Sequence, residues 1–106
     1  MAYNRIWLVG ALRGNPVLRF ARDGSAETRF TLAIHAGDGE GGEVEVRCRG
    51  SWATDIADGI DAGDPALVEG YLALGYRDGG YRDGEGMASG TPERGLVVLA
   101  TKIERL

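Results

Sequence analysis

The sequence has very few residues of the kinds that catalytic and metal sites use most. Its 106 residues include one histidine, His35, and one cysteine, Cys48. A lone cysteine cannot form an intramolecular disulfide, and the alternating run Val44, Val46, Cys48 predicts that this thiol is buried in the fold. His35 has no partner in the sequence, and no glycine-rich loop lies between a strand and a helix, where it would hold a phosphate. The sequence therefore predicts a protein that is not an enzyme and has no cofactor and no metal.

Long apolar runs are also missing. No stretch approaches the roughly 20 apolar residues that span a bilayer, and the N-terminal segment lacks the basic-then-apolar pattern of an export signal. We therefore expect a cytoplasmic protein that does not contact a membrane. With 43% hydrophobic and 26% charged residues, the composition is that of a globular protein. A chain of this length builds one modest core, so we expect one domain over residues 1–106.

Lysine is nearly absent, and acidic residues outnumber basic ones. Eleven of the 12 basic residues are arginine, and the net charge is -4. Nucleic-acid-binding proteins usually present a basic field, but the charge here is uneven. Residues 1–35 carry +3, residues 36–70 carry -7, and the last 36 residues are neutral. This distribution predicts a cationic patch on an acidic body. Arginine suits phosphate through its forked hydrogen bonds, although the same usage can reflect genomic composition.

Apolar residues that alternate with a period of two predict an antiparallel β-fold. The apolar positions of the expected strands are Ile6, Leu8 and Val17; Phe30, Leu32 and Ile34; Val44, Val46 and Cys48; Ala66 to Leu74; and Leu96 to Ile103. Turn residues at 23–25 and 37–42 separate the first three strands as hairpin loops. The sequence therefore predicts five strands.

Between the third and fourth strands the apolar period changes. Trp52, Ile56 and Ile60 fall four residues apart. This spacing, with Ser51 as the N-cap, predicts one short amphipathic helix that ends near Gly63.

Four segments, taken in order, carry a resemblance to a known family. They are Asn4-Arg5-Ile6-Trp7-Leu8-Val9-Gly10, Asn15-Pro16-Val17-Leu18-Arg19-Phe20, Phe30-Thr31-Leu32-Ala33-Ile34 and Val68-Glu69-Gly70-Tyr71-Leu72. Their order and spacing resemble the bacterial single-stranded DNA-binding protein family over nearly all of residues 3–106. The chain is also similar to primosomal replication protein B. The resemblance implies an all-β fold with one short helix, namely an OB-fold, a five-stranded Greek-key β-barrel with a helix between strands three and four.

The resemblance also implies which face of the barrel binds DNA. With its apolar residues inside, the third strand turns four charged side chains outward. They are Glu43, Glu45, Arg47 and Arg49. This outer face is the DNA-binding surface of the family, whose members tend to carry an aromatic residue near each end of it. Because Glu43 and Arg49 occupy those positions here, two stacking platforms are missing. Arg19, Phe20 and Tyr76 match family contact positions better.

The connection between the fourth and fifth strands, at about residues 75–95, contains a short repeat. Tyr76-Arg77-Asp78-Gly79 recurs as Tyr81-Arg82-Asp83-Gly84. In an OB-fold this hairpin is one of the loops that line the oligonucleotide groove. Each Tyr-Arg unit offers a face for stacking and a partner for phosphate. The alternative is a mobile, glycine-rich surface hairpin whose polar residues keep it soluble.

We therefore expect non-catalytic binding of single-stranded DNA, with little sequence preference, in replication, recombination or repair. The residues expected to contact phosphates are Arg13, Arg19, Arg29, Arg47, Arg49, Arg77 and Arg82. Those expected to stack on bases are Phe20, Tyr71, Tyr76 and Tyr81. The acidic balance favours an alternative, an OB-fold module that binds a replication or primosome protein and has weak or no affinity for DNA. An enzyme that uses the acidic loop at residues 38–45 is the weakest hypothesis.

Self-association is a further expectation from the resemblance. Subunits of the family pair through the first strand, so the segment Ala2 to Leu8 is the expected interface of a dimer or tetramer. Trp7 lies within it, and either stacks on a base or is buried between subunits. Family members that recruit repair and replication enzymes end in a flexible acidic tail. Because this chain stops almost at the end of its last strand, no such tail is expected.

Overall fold

The computed structural model describes residues 3–35, 39–77 and 93–106. These residues form six strands and one helix. In chain order they are β1 (Ile6–Leu12), β2 (Val17–Phe20), β3 (Ala26–His35), β4 (Gly41–Arg49), α1 (Ala53–Gly59), β5 (Pro65–Arg77) and β6 (Glu93–Arg105). No helix in this part of the chain is both long and apolar enough to cross a membrane.

Five of these strands close into a barrel. They follow the order β1-β5-β6-β4-β3, and β1 pairs with β3 to complete the ring. Neighbouring strands are antiparallel except β4 and β6, which are parallel. The helix α1 lies between β4 and β5 in the chain. A closed five-stranded barrel with this connectivity is an OB-fold, and the predicted fold class is confirmed.

The expected first strand is interrupted and forms two strands. β1 ends at Leu12 and β2 begins at Val17. Between them Gly14 has φ = 90°, a left-handed conformation that breaks an extended strand. The side-chain oxygen of Asn15 accepts a hydrogen bond from the N–H of Ala62 at 2.9 Å, which ties this break to the segment after α1. β2 then pairs with β3 along the same edge as β1, so it continues the line of β1 after the break.

The core follows the predicted alternation. Its buried residues are Leu12, Phe30, Leu32, Val46, Ile60, Ala66, Val68 and Val98. Val44 packs against them, and Cys48 is fully buried. Thr28 is also buried, and its hydroxyl donates a hydrogen bond of 2.7 Å to the carbonyl oxygen of Ala53, which joins α1 to β3. In the described part of the chain, no buried side-chain nitrogen or oxygen lacks a hydrogen-bond partner.

The helix differs from its predicted bounds at both ends. Its N-cap is Trp52 rather than Ser51, and no side chain caps it. The indole N–H of Trp52 instead donates to the carbonyl oxygen of Arg49 at 2.8 Å, so the ring is held against the end of β4. The helix ends at Gly59 and not near Gly63, because Ile60 takes an extended conformation with φ = -134°. This turn buries the side chain of Ile60 in the barrel.

Two glycines allow the strands to approach each other closely. A Cβ atom on Gly10 would lie 2.1 Å from the carbonyl oxygen of Ala33, and one on Gly70 would lie 2.2 Å from that of Leu99. Gly10 stands just before the point where β1 pairs with β3 at Ala11. Gly70 adjoins the irregular register between β5 and β6. Both glycines therefore serve the curvature that closes the barrel.

We predict that Gly10→Ala lowers the free energy of unfolding by at least about 2 kcal/mol, because the added methyl group overlaps the backbone of β3. Gly42→Ala is the matched control, since a Cβ there meets nothing within 4 Å, and its effect should stay within about 0.5 kcal/mol. Urea denaturation followed by circular dichroism measures both. Equal stability of the two variants would show that the close approach at Gly10 is not required.

Candidate nucleic-acid interface

The outer face of the β2, β3 and β4 strands carries four of the eleven residues proposed from the sequence, namely Arg19, Arg29, Arg47 and Arg49. Side chains alternate along a strand, so those that flank the buried core positions point outward. In the register of the sheet, Arg19 on β2 lies opposite Glu27 on β3. On the other side of β3, Glu27 lies opposite Arg49 and Arg29 lies opposite Arg47. Arginines and glutamates are therefore neighbours across this face.

Five of these side chains form a continuous chain of ion pairs, which we call the charge ladder. It consists of Arg49, Glu27, Arg29, Glu45 and Arg47. Glu27 accepts from Arg49 Nε at 2.7 Å and from Arg29 Nε at 2.6 Å. Glu45 accepts from Arg47 Nε at 2.6 Å and lies 4.0 Å from Arg29 Nη1. Three positive charges meet two negative ones, so the ladder carries a net charge of +1.

Glu27 is ionised at neutral pH. Its partial burial acts to raise the pKa, but hydrogen bonds from Arg49 and Arg29, together with their positive charges, more than offset this effect. The pKa of the carboxyl therefore lies below its ordinary value. Glu27 is a fixed negative charge in the middle of three arginines.

One end of the ladder opens into a surface pocket of ≈ 620 Å³, which we call the hairpin pocket. It lies at the turn between β2 and β3, beside the end of β4. Its lining residues are Arg19, Phe20, Ala21, Ser25, Ala26, Glu27, Arg29, Arg49 and Gly50. The volume falls within the range of small-molecule sites, roughly 300–1,000 Å³. The pocket combines one aromatic ring with three guanidinium groups and one carboxylate.

The aromatic ring of the pocket is accessible. Phe20 is 65% exposed, so most of its ring surface is open to solvent. The turn beside it is well ordered, because Asp23 Oδ1 accepts hydrogen bonds from the N–H of Ser25 at 2.9 Å and from its hydroxyl at 2.7 Å. These bonds, the backbone one first, hold the pKa of Asp23 below its usual value. A flat ring on a fixed turn is suited to stacking on a planar ligand.

Arg47 departs from expectation. It was expected on the open face with Arg49, yet it is 4% exposed whereas the side chain of Arg49 is 58% exposed. A Cβ atom on Gly75 would lie only 2.8 Å from Nη1 of Arg47. The guanidinium thus lies against the backbone of β5 and is covered there. Arg47 is part of the packed structure, and its guanidinium is not presented to a phosphate.

The other proposed residues fall outside the hairpin pocket. Arg13 pairs with Glu43 at 3.1 Å farther along the same face. Tyr71, which is 40% exposed, lies on β5 next to Leu72, a residue that packs against the core; it therefore points outward on another part of the barrel. The backbones of Tyr76 and Arg77 belong to β5, paired with β6. Tyr81 and Arg82 lie outside the described residues. The pocket therefore unites Arg19, Phe20, Arg29 and Arg49.

Glu27 is the member of this site that sequence reasoning did not propose. Its position opposite Arg49 follows from the β3–β4 register, and a register cannot be counted until the residues of the hairpin turn are known. An alternation of Glu and Arg at 27, 29, 45 and 47 is the signal that was present. It indicates cross-strand pairing of opposite charges.

Metal and thiol chemistry find no support in this part of the protein. Across residues 3–35, 39–77 and 93–106, no three His, Cys, Asp or Glu side chains are grouped so as to hold a metal ion. Burial raises the pKa of Cys48 to about 11, so the thiol stays protonated at neutral pH.

A scan against protein-family models and a search of curated proteins found no match for this chain.

The different burial of two ladder arginines predicts different roles. Arg47→Ala should lower the free energy of unfolding by about 2–3 kcal/mol, because it removes a covered guanidinium and leaves Glu45 without its closest partner. Arg49→Ala should cost less than about 1 kcal/mol, since exposed ion pairs contribute little. Chemical denaturation of both variants tests this. A larger loss in Arg49→Ala would contradict the assignment of Arg47 to the packed structure.

Proposed function

We propose that this chain is a cytoplasmic, non-catalytic OB-fold protein that binds single-stranded DNA in replication, recombination or repair. The observation that carries the proposal is the hairpin pocket, where the exposed ring of Phe20 stands beside Arg19, Arg29 and Arg49. Single strands are bound by positive grooves that follow the phosphates and by aromatic rings on which bases stack. The pocket offers both within one surface. The resemblance to the bacterial single-stranded DNA-binding protein family agrees with it.

The charge ladder determines how strongly such a strand is held. The phosphates of the strand compete with Glu27 for Arg29 and Arg49, which are already paired with it. Binding therefore exchanges one set of ion pairs for another, and the gain is smaller than at unpaired arginines. Because the ladder keeps a net charge of +1, some attraction remains, and it should be sensitive to salt. We expect moderate affinity that falls as salt rises.

We predict that a labelled oligo-dT binds at low salt, and that log K falls with log salt by about 0.7 for each phosphate contacted. Phe20→Ala should weaken binding by about 5- to 100-fold, because one stacked base is lost. Arg49→Ala should reduce the salt slope by about 0.7, because one phosphate contact is lost. Fluorescence anisotropy titrations at several salt concentrations measure all three.

The control for this experiment is Arg105→Ala. Arg105 is similarly exposed, with 58% of its side chain accessible, but it lies on β6 and pairs with Asp64. Its loss removes the same charge outside the pocket, so affinity and salt slope should change little. If Phe20→Ala and Arg105→Ala had equal effects, the hairpin pocket would not be the site.

The ladder also favours a second candidate function, an OB-fold module that binds a replication or primosome protein. A face on which glutamates neutralise arginines is better suited to a partner with mixed charge than to a polyanion. Oligo-dT titrations separate the two functions. If the protein did not bind oligo-dT at tens of micromolar concentration, even at low salt, the result would contradict DNA binding and favour a protein-binding module.

We further propose that the chain self-associates through β1. Trp7 and Val9 point outward from β1 and are 65% and 60% exposed. In the described residues, β1 pairs with β3 only at Ala11 and Leu12, which leaves the edge of Ile6–Gly10 on that side without a partner strand. Exposed apolar residues on an open edge favour pairing with another chain. The segment expected from the sequence, Ala2 to Leu8, covers most of this edge, although Ala2 lies outside the described residues.

Trp7→Lys should convert an oligomer into a smaller species, because it places a charge in the apolar part of the interface. Leu96→Lys is the control. Leu96 is 61% exposed on β6, two strands away from β1, and its substitution adds the same charge there. Light scattering coupled to size-exclusion chromatography gives the mass of each protein. A monomeric wild type, or an equal loss of mass in both variants, would refute the interface.

A further inference from the structure

An acidic side chain in the hairpin pocket is unexpected for a surface that only follows a sugar-phosphate backbone. Glu27 lines the pocket together with Phe20 and Arg49. A carboxylate repels phosphate, so its presence weakens non-specific binding at this point. The repulsion is useful only if the carboxylate contacts something other than phosphate. A base that stacks on Phe20 lies in the same pocket as the carboxylate of Glu27.

The geometry of Glu27 suits it to accept a hydrogen bond from a ligand. Arg29 Nε holds Oε1 at 2.6 Å and Arg49 Nε holds Oε2 at 2.7 Å, so both oxygens are fixed in position. A carboxylate has about four lone-pair positions, and these two bonds occupy two of them. The side chain is 19% exposed, which leaves it accessible from the pocket. A rigid, ionised acceptor needs little reorganisation when a donor arrives.

We propose that Glu27 gives the hairpin pocket a preference for bases that carry an exocyclic amino group, so that cytosine is bound more tightly than thymine. This inference rests on the proposed single-stranded DNA binding and adds a base preference at one position of the strand. The amino group at C4 of cytosine donates to a glutamate. Thymine presents a carbonyl oxygen at C4, which meets the carboxylate as a second acceptor and makes no hydrogen bond with it at that position. The pocket therefore distinguishes two pyrimidines of nearly equal size.

Oligo-dC and oligo-dT of the same length test the proposal. The two bases are both single-ring pyrimidines, so the size of the stacked ring stays the same, and the Glu27→Ala variant separates the effect of the carboxylate from other differences between the bases. Anisotropy titrations at slightly alkaline pH, where cytosine is neutral, should give a dissociation constant about fivefold lower for oligo-dC than for oligo-dT. In Glu27→Ala this ratio should fall to about one. The affinity of Glu27→Ala for oligo-dT should rise severalfold, because Arg29 and Arg49 lose a competing anion.

Glu43→Ala is the matched control. Glu43 lies on the same outer face and pairs with Arg13, but it does not line the pocket. Its removal should raise the affinity for both oligonucleotides alike and leave their ratio as in the wild type. The same ratio in Glu27→Ala as in Glu43→Ala would overturn the assignment of base reading to Glu27.

The remaining outcomes also decide the question. Equal affinity of the wild type for oligo-dC and oligo-dT would overturn the inference while leaving single-stranded DNA binding intact. A wild type that binds neither oligonucleotide would overturn both. The wild-type comparison needs no variant, so it decides even if Glu27→Ala does not fold.

Discussion

The barrel depends on the place where β1 passes from β5 to β3, and this passage requires a residue without a side chain at Gly10. The carbonyl oxygen of Ala33 occupies the position that a Cβ atom would take. Once the ring is closed, each strand has one face inside and one outside. Phe30 and Val46 then enter the core, and their neighbours of opposite parity must lie on the surface. A steric constraint on one residue thus fixes where every charged side chain of β3 and β4 lies.

The register of those two strands converts a sequence of charges into a chain of ion pairs. Glu27 faces Arg49, while Arg29 faces Arg47 and also reaches Glu45. A shift of β4 by one residue would turn the three ladder side chains that it carries toward the core, where unpaired charges are very costly. The charge ladder therefore favours the native register of β3 with β4, and it also forms the outer face of these two strands. Its two ends differ, because β5 covers Arg47 whereas Arg49 remains in the hairpin pocket.

Sequence patterns were sufficient for the fold class, and they proposed four of the residues that line the hairpin pocket. Alternation identified the strands, and a local match identified Arg19 and Phe20, because both signals lie within a few adjacent residues. The burial of Arg47 could not be read in this way, since its guanidinium lies against Gly75, which is 28 positions away in the chain and comes close only in the folded barrel. The partnership of Glu27 with Arg49 likewise depends on a register that the hairpin turn sets. The prediction of Ser51 as the N-cap was wrong because Trp52 takes this position, where its indole N–H bonds to the carbonyl oxygen of Arg49. Cap preferences for small polar residues do not describe such a contact.

The acidic balance of the chain is compatible with the proposed binding of phosphates, because the two act over different distances. Between exposed groups, charge is screened within about 8 Å at physiological ionic strength. The net charge of -4 therefore affects the approach of a strand more than its contacts. Once a strand is in the hairpin pocket, the relevant charges are three arginines and Glu27. Phosphates are attracted to the arginines, and the carboxylate excludes them from one position. In the proposed binding mode that position is left for the edge of a base, so the same glutamate that weakens general binding would make it selective.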